Sequence, residues 1–141
     1  MGNIKAFLQP PVMEDTKKIV ISDRFKDEKG EPVPFIIRAI SQEVNDRITR
    51  QSTKRTKKQN MVIRELDDEK YMKLLIQACV VEPNFKDSEL CAYYKTMDPL
   101  DVPGRMLSVG EYTRLAQEIR EINGLLMSDE ELEEVEEEAK N

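Results

Sequence analysis

The stretch Ser108-Val109-Gly110-Glu111-Tyr112-Thr113-Arg114-Leu115-Ala116-Gln117-Glu118-Ile119-Arg120-Glu121-Ile122-Asn123-Gly124 reads as one amphipathic helix from start to stop. The Ser108 hydroxyl can accept a hydrogen bond from the Glu111 backbone while the Glu111 carboxylate reaches back, a capping box that satisfies amides a helix otherwise leaves open. Val109, Tyr112, Leu115, Ala116, Ile119 and Ile122 recur at the three-and-four spacing that lines one face. Gly124 supplies the left-handed residue that ends the helix.

Three more helices lie upstream. Asp67 or Asp68 caps one in which Met72, Leu75, Ile76 and Cys79 share a face, and Pro83 stops it because proline cannot donate the next helical hydrogen bond. Leu90, Tyr94 and Met97 give a shorter one, ended by Pro99, and a linker through Pro103-Gly104 leads to Ser108. Ser41 caps the third, with Glu43 near the positive end of its dipole. Val44 and Ile48 are its only apolar pair, and Arg50, Gln51, Ser52, Thr53, Lys54 and Arg55 give no apolar continuation, so its second half, a basic helix end, projects into water. Met61-Val62-Ile63 is a short apolar run that fits a strand fragment or a linker, and its length does not decide between them.

Two β-branched runs come before these helices. Lys18-Ile19-Val20-Ile21-Ser22-Asp23-Arg24-Phe25 and Pro34-Phe35-Ile36-Ile37-Arg38-Ala39-Ile40 flank Asp27-Glu28-Lys29-Gly30-Glu31-Pro32, whose glycine can take a positive φ, and together they predict a hairpin. Phe35, Ile37 and Ala39 share one face of the second strand and Ile36, Arg38 and Ile40 the other. One face can cover helices. The other is a candidate surface for a partner protein, unless Ile36 and Ile40 are core as well. The fold class is therefore α+β: an N-terminal β-hairpin packed with about four α-helices. The expected organisation is an extended arm over 1–16 containing Pro10-Pro11, a single domain over 17–127, and an acidic, helical and mobile tail over 128–141.

At 141 residues the chain suits one domain and can bury roughly two-thirds of the surface its unfolded form exposes. Its charge is unevenly divided. Asp129, Glu130, Glu131, Glu133, Glu134, Glu136, Glu137 and Glu138 face Lys140 alone, a net of −7, which leaves 1–127 at +1 within a whole-chain charge of −6. With no histidine, general acid–base chemistry would fall to carboxylates, and no pair of them sits in an apolar segment that could raise a pKa. The five glycines form no phosphate-cradling loop. Cys79 and Cys91 lie within apolar helical patterns, as small buried hydrophobes do, and not in a metal-binding spacing. No apolar run approaches the ~20 residues of a membrane span. The chain reads as a non-enzyme without cofactor or metal.

The strongest electrostatic feature of the body is the run Arg47, Arg50, Lys54, Arg55, Lys57, Lys58, which contains no carboxylate. It fits a solvated face, a protein-docking surface or a nucleic-acid contact. The absence of interleaved aromatics and the acidic whole chain weigh against nucleic acid. The acidic tail is itself an available partner.

A spaced set of residues, Pro83-Asn84-Phe85-Lys86-Asp87, Met106-Leu107, Gly110-Glu111-Tyr112 and Ile122-Asn123-Gly124, followed by the acidic tail, resembles the XkdN-like phage tail assembly chaperones over most of residues 17–127. The family pattern tends to place proline before Gly-Glu-Tyr, where this chain has Val109, a departure that touches only the start of the helix. The resemblance implies a prophage-encoded factor in the cytoplasm of the bacterial host, acting without a cofactor. It also implies that the factor binds the tape measure protein transiently, helps recruit tail tube protein to it, and leaves before the tail is complete. Weak self-association is a further expectation, with no membrane partner. Two rivals remain: a nucleic-acid-binding phage regulator, marked by steeply salt-dependent binding, and a structural tail completion component, marked by its presence in finished particles.

Overall fold

Thr16–Ile19 (β1) and Phe35–Arg38 (β2) pair antiparallel, with Thr16 opposite Arg38 and Ile19 opposite Phe35, which is the expected N-terminal hairpin. The computed structural model describes residues 2–125, and the acidic tail read as a helix lies outside them. After β2 the chain forms α1 (Gln42–Ser52), a separate ribbon of β3 (Thr53–Lys58) and β4 (Met61–Leu66), then α2 (Asp68–Cys79) and β5 (Val80–Glu82). It finishes with α3 (Ser88–Tyr93), α4 (Val102–Met106) and α5 (Val109–Ile122).

Both strands of the first hairpin are shorter than their β-branched runs suggested. β1 ends at Ile19, and residues 20–34 form a long connection in which Ile21 is buried and Phe25 packs on Phe35, ring centroids 5.6 Å apart. Gly30 turns at φ +80°, where its amide donates to Asp27. A third strand joins the sheet: β5 pairs antiparallel with β2, giving the order β1-β2-β5 with β2 central. The α2 helix therefore stops at Cys79, where the chain turns into this strand, and not at Pro83.

The helix starts follow the caps read from the sequence. Ser41 Oγ accepts from the Val44 amide at 3.3 Å, and Asp67 Oδ1 accepts from the Lys70 amide at 3.2 Å. At α5 both halves of the capping box are present: the Glu111 amide donates to Ser108 Oγ at 3.2 Å and the Ser108 amide to Glu111 Oε1 at 2.8 Å. Val109 in place of the family's proline thus leaves the helix start intact. Gly124, at φ +70°, ends that helix.

One core holds the sheet and helices together. Phe35 and Ile37 of β2 meet Ile19, Val80, Leu75, Ile76 and Cys79, and α5 adds Leu115 and Ile119. Burying each such side chain contributes about 1.5–3 kcal/mol. Val102, Met106 and Leu107 join the same core from a segment read as linker; Val102 and Pro103 open α4, where a proline's missing amide costs nothing. Two expected core residues are not there. Met97 is fully exposed because α3 ends at Tyr93 and Lys95 turns the chain at φ +56°, and Val109 is 87% exposed at the first position of α5. Cys79 is fully buried, and burial pushes its thiol up to about 11, whereas Cys91 is only half-buried.

Candidate functional site

The basic run begins on α1, where Arg47 and Arg50 lie one turn apart and exposed. Its remainder is not the end of a helix. Lys54, Arg55, Lys57 and Lys58 stand on β3, because the β-branched Thr53 and Thr56 favour extended backbone once α1 has no further apolar face to bury. Gln59 and Asn60, at φ 49° and 66°, form a two-residue turn with both central residues left-handed, the geometry that matches strand twist, and return the chain into β4. Met61-Val62-Ile63, open to two readings in the sequence, is strand.

This ribbon stands clear of the core. Every residue from Lys54 to Leu66 is exposed, including Met61 at 68% and Val62 at 59%. Pairing sets Arg55 opposite Arg64, Lys57 opposite Val62 and Lys58 opposite Met61. Directly paired residues share a face. One face of the ribbon therefore carries Thr53, Arg55, Lys57, Val62, Arg64 and Leu66, and the other Lys54, Thr56, Lys58, Met61, Ile63 and Glu65, the ribbon's one carboxylate, opposite Lys54. Both combine cations with uncovered apolar groups. The root is anchored: the Asp67 amide donates to the Ser52 carbonyl at 2.7 Å, Lys54 Nζ lies 3.4 Å from Asp67 Oδ2, and the buried Ser52 hydroxyl donates to Ile48. Where β3 and β4 leave α1, a groove of about 490 Å³ is lined by Thr49, Arg50, Thr53, Arg55 and Arg64.

The second candidate surface lies elsewhere. Ile36 and Arg38 are half-buried on β2, and the Arg38 guanidinium donates to the Ala78 carbonyl at 3.1 Å. Ile40 packs against the core, and its amide donates to Asn123 at 2.9 Å. The α1 helix separates this strand from the ribbon by about 16 Å, at ~1.5 Å per residue. The structure therefore gathers Lys54, Arg55, Lys57 and Lys58 on one ribbon near Arg50 and leaves Ile36, Arg38 and Ile40 at the other end of α1. The carboxylates from Asp129 to Glu138 lie outside the described residues.

Reading the sequence missed Arg64 and the partnership of Met61–Leu66 with the basic run. The signal was there in Thr53 and Thr56 alternating with charge and in the polar Gln59-Asn60 pair. A second cleft of about 460 Å³, between α2 and α4, is lined by Glu69, Lys73, Asp101 and Tyr112. Its charges satisfy one another, with Lys73 Nζ 3.2 Å from Asp101 and 3.5 Å from Glu69. Among the described residues no three His, Cys, Asp or Glu stand close enough to hold a metal ion, and no helix is long and apolar enough to cross a membrane.

Comparison with known proteins gives a consistent result. The model of the family described as phage XkdN-like tail assembly chaperone protein matches residues 4–140, which takes in the ribbon and nearly all of the acidic segment. The chain is similar to the Bacillus subtilis (strain 168) protein YqbN, 42% identical over 88% of this chain and 83% of that one. It is also similar to the phage-like element PBSX protein XkdN of the same organism, 38% identical over the same shares. The crystal structure of YqbN superposes with a TM-score of 0.67 and 36% identity, covering 78% of this chain and 85% of the other.

Proposed function

The chain belongs to the XkdN-like phage tail assembly chaperone family, and from that membership we propose that it binds the tape measure protein transiently and helps recruit tail tube subunits to it. The observation that carries the reading is the β3–β4 ribbon. A chaperone needs a surface that is open in the free protein, apolar enough to grip and charged enough to stay dispersed. Met61, Val62, Ile63 and Leu66 supply the grip, and Lys54, Arg55, Lys57, Lys58 and Arg64 the charge. A ribbon of two strands also has two unpaired edges, which can accept an extended segment by main-chain hydrogen bonding. Ile36, Arg38 and Ile40 form the secondary surface of the same proposal.

The role calls for no bond to be made or broken, so it is binding without catalysis, carried out in the cytoplasm of the bacterial host. Co-expression with the tape measure protein tests it. The tape measure should stay in the soluble fraction and co-purify with this chain, while mass spectrometry of finished particles should find the chain missing. Recovery of the chain as a stoichiometric part of mature tails would instead make it a structural component. Steeply salt-dependent binding to duplex DNA, with no hold on the tape measure, would make it a nucleic-acid-binding regulator.

A further inference from the structure

Three arginines crowd the groove at the root of the ribbon: Arg50 from the last turn of α1, Arg55 from β3 and Arg64 from β4. Arg55 and Arg64 are direct cross-strand partners, and like charges in that relation destabilise a ribbon. A cation at Arg50 suits the negative end of the α1 dipole, but nothing in the fold calls for the other two. Among the described residues none of the three forms a salt bridge. The Arg55–Arg64 register is repulsive, and an anion bound at this groove would relieve it.

We propose that this groove receives the chain's own acidic segment, residues 128–141, which covers the ribbon until a partner protein displaces it. The inference deepens the docking role given above and rests on it only for the displacement. Carboxylates fit guanidinium forks two bonds at a time. The segment carries eight carboxylates against one lysine, with Leu132 and Val135 to meet Val62 and Leu66, which share the face of Arg55 and Arg64. Its reach is sufficient. Leu125 lines a small cleft with Ile40, Ser41, Gln42 and Asn45, which places it beside the start of α1, while the ribbon springs from the other end of that helix. That distance is about 16 Å along the helix. The sixteen residues from 126 to 141 span about 24 Å as a helix at ~1.5 Å per residue, and more than twice that when extended. Attachment to the same chain gives the segment an effective concentration on the order of millimolar, ahead of most anions in solution.

Carbodiimide coupling, which joins carboxylates to lysine amines at contact distance, tests the proposal on the full chain. At low salt, mass spectrometry of the monomer should find residues 128–141 joined chiefly to Lys57, which shares a face with Arg55 and Arg64, ahead of Lys54 and Lys58 on the other face. The R50Q/R55Q/R64Q variant keeps those lysines, and circular dichroism should show it folded. Its yield should fall about tenfold, the effect of losing three exposed ion pairs together, and high salt should do the same to the unaltered chain. In a second variant with Glu130→Gln, Glu131→Gln, Glu133→Gln and Glu134→Gln, the amide resonances of Thr53–Leu66 should shift from their positions in the unaltered chain. Equal coupling in the unaltered chain and the arginine variant overturns the proposal. So does coupling confined to dimers, which would make a second copy the donor. So does equal binding of a DNA duplex by the unaltered chain and the glutamine variant, which would leave the groove open to phosphate. None of these failures touches co-purification with the tape measure, so the two readings fail separately.

Discussion

The Arg24 guanidinium holds both carboxylate oxygens of Glu111, Nη2 at 2.6 Å from Oε1 and Nε at 3.2 Å from Oε2. The same Nη2 donates to the Met106 carbonyl at 2.8 Å, so the long connection between β1 and β2 is pinned to the start of α5. Glu111 thereby serves its own helix cap and a contact from the far end of the chain with one side chain, which is only 11% exposed. The capping box was legible in Ser108 and Glu111. Arg24 was not, because nothing local marks an arginine in a loop for a carboxylate 87 positions away.

This contact sets an acid limit on stability. The Arg24 hydrogen bond, then the Ser108 amide, hold the Glu111 carboxyl well below the usual carboxylate range. In the unfolded chain an ordinary glutamate takes up its proton near pH ~4.3, so the unfolded state binds the proton first as pH falls. The contribution is complete above about pH 5 and shrinks as pH drops from there toward the depressed folded value. Urea unfolding should find Glu111→Gln about 1 kcal/mol less stable at neutral pH, and the gap from the unaltered chain should narrow at pH 3. An equal gap at both values would contradict the account.

The core and the exposed methionine give opposite expectations for two apolar truncations. Ile37→Ala removes a side chain with no exposure at the centre of the sheet and should cost about 2–5 kcal/mol. Met97→Ala, at a side chain wholly in solvent, should stay within about 0.5 kcal/mol of the unaltered protein. Thermal denaturation of the two variants checks both. A large loss at Met97 would restore the helix face that Leu90, Tyr94 and Met97 suggested.

The two thiols should behave differently. Cys79 is buried, with a pKa raised to about 11 by desolvation, so very little thiolate is present near pH 8. In a Cys91→Ser variant an aromatic disulfide reagent should react with Cys79 only at the rate of unfolding, and addition of denaturant should release a full equivalent at once. Rapid reaction in the folded state would place Cys79 at the surface.

What the sequence disclosed follows burial. The α2 and α5 helices were visible because each lays Leu75, Ile76 and Cys79, or Leu115 and Ile119, along one face of the core at helical spacing. β5 was hidden because three residues leave no alternation, and α4 because Pro103 and Gly104 read as a break although proline is welcome in a first turn. The β3–β4 ribbon was hidden for a deeper reason. It buries nothing against the core, so no inward face imprints a period on Thr53–Lys58, and in the sequence its basic residues read as the end of a helix. The feature of most functional interest is thus the one that core patterning describes least well.

Excision of the ribbon tests the central claim most directly. Thr53 and Leu66 are paired partners at its root, so residues 54–65 can be replaced by an Asn-Gly turn without opening the core. The excised chain should keep its thermal midpoint within a few degrees and lose at least about tenfold in affinity for the tape measure protein by calorimetry or co-purification. Full tape measure binding by a folded, ribbon-free chain would contradict the account.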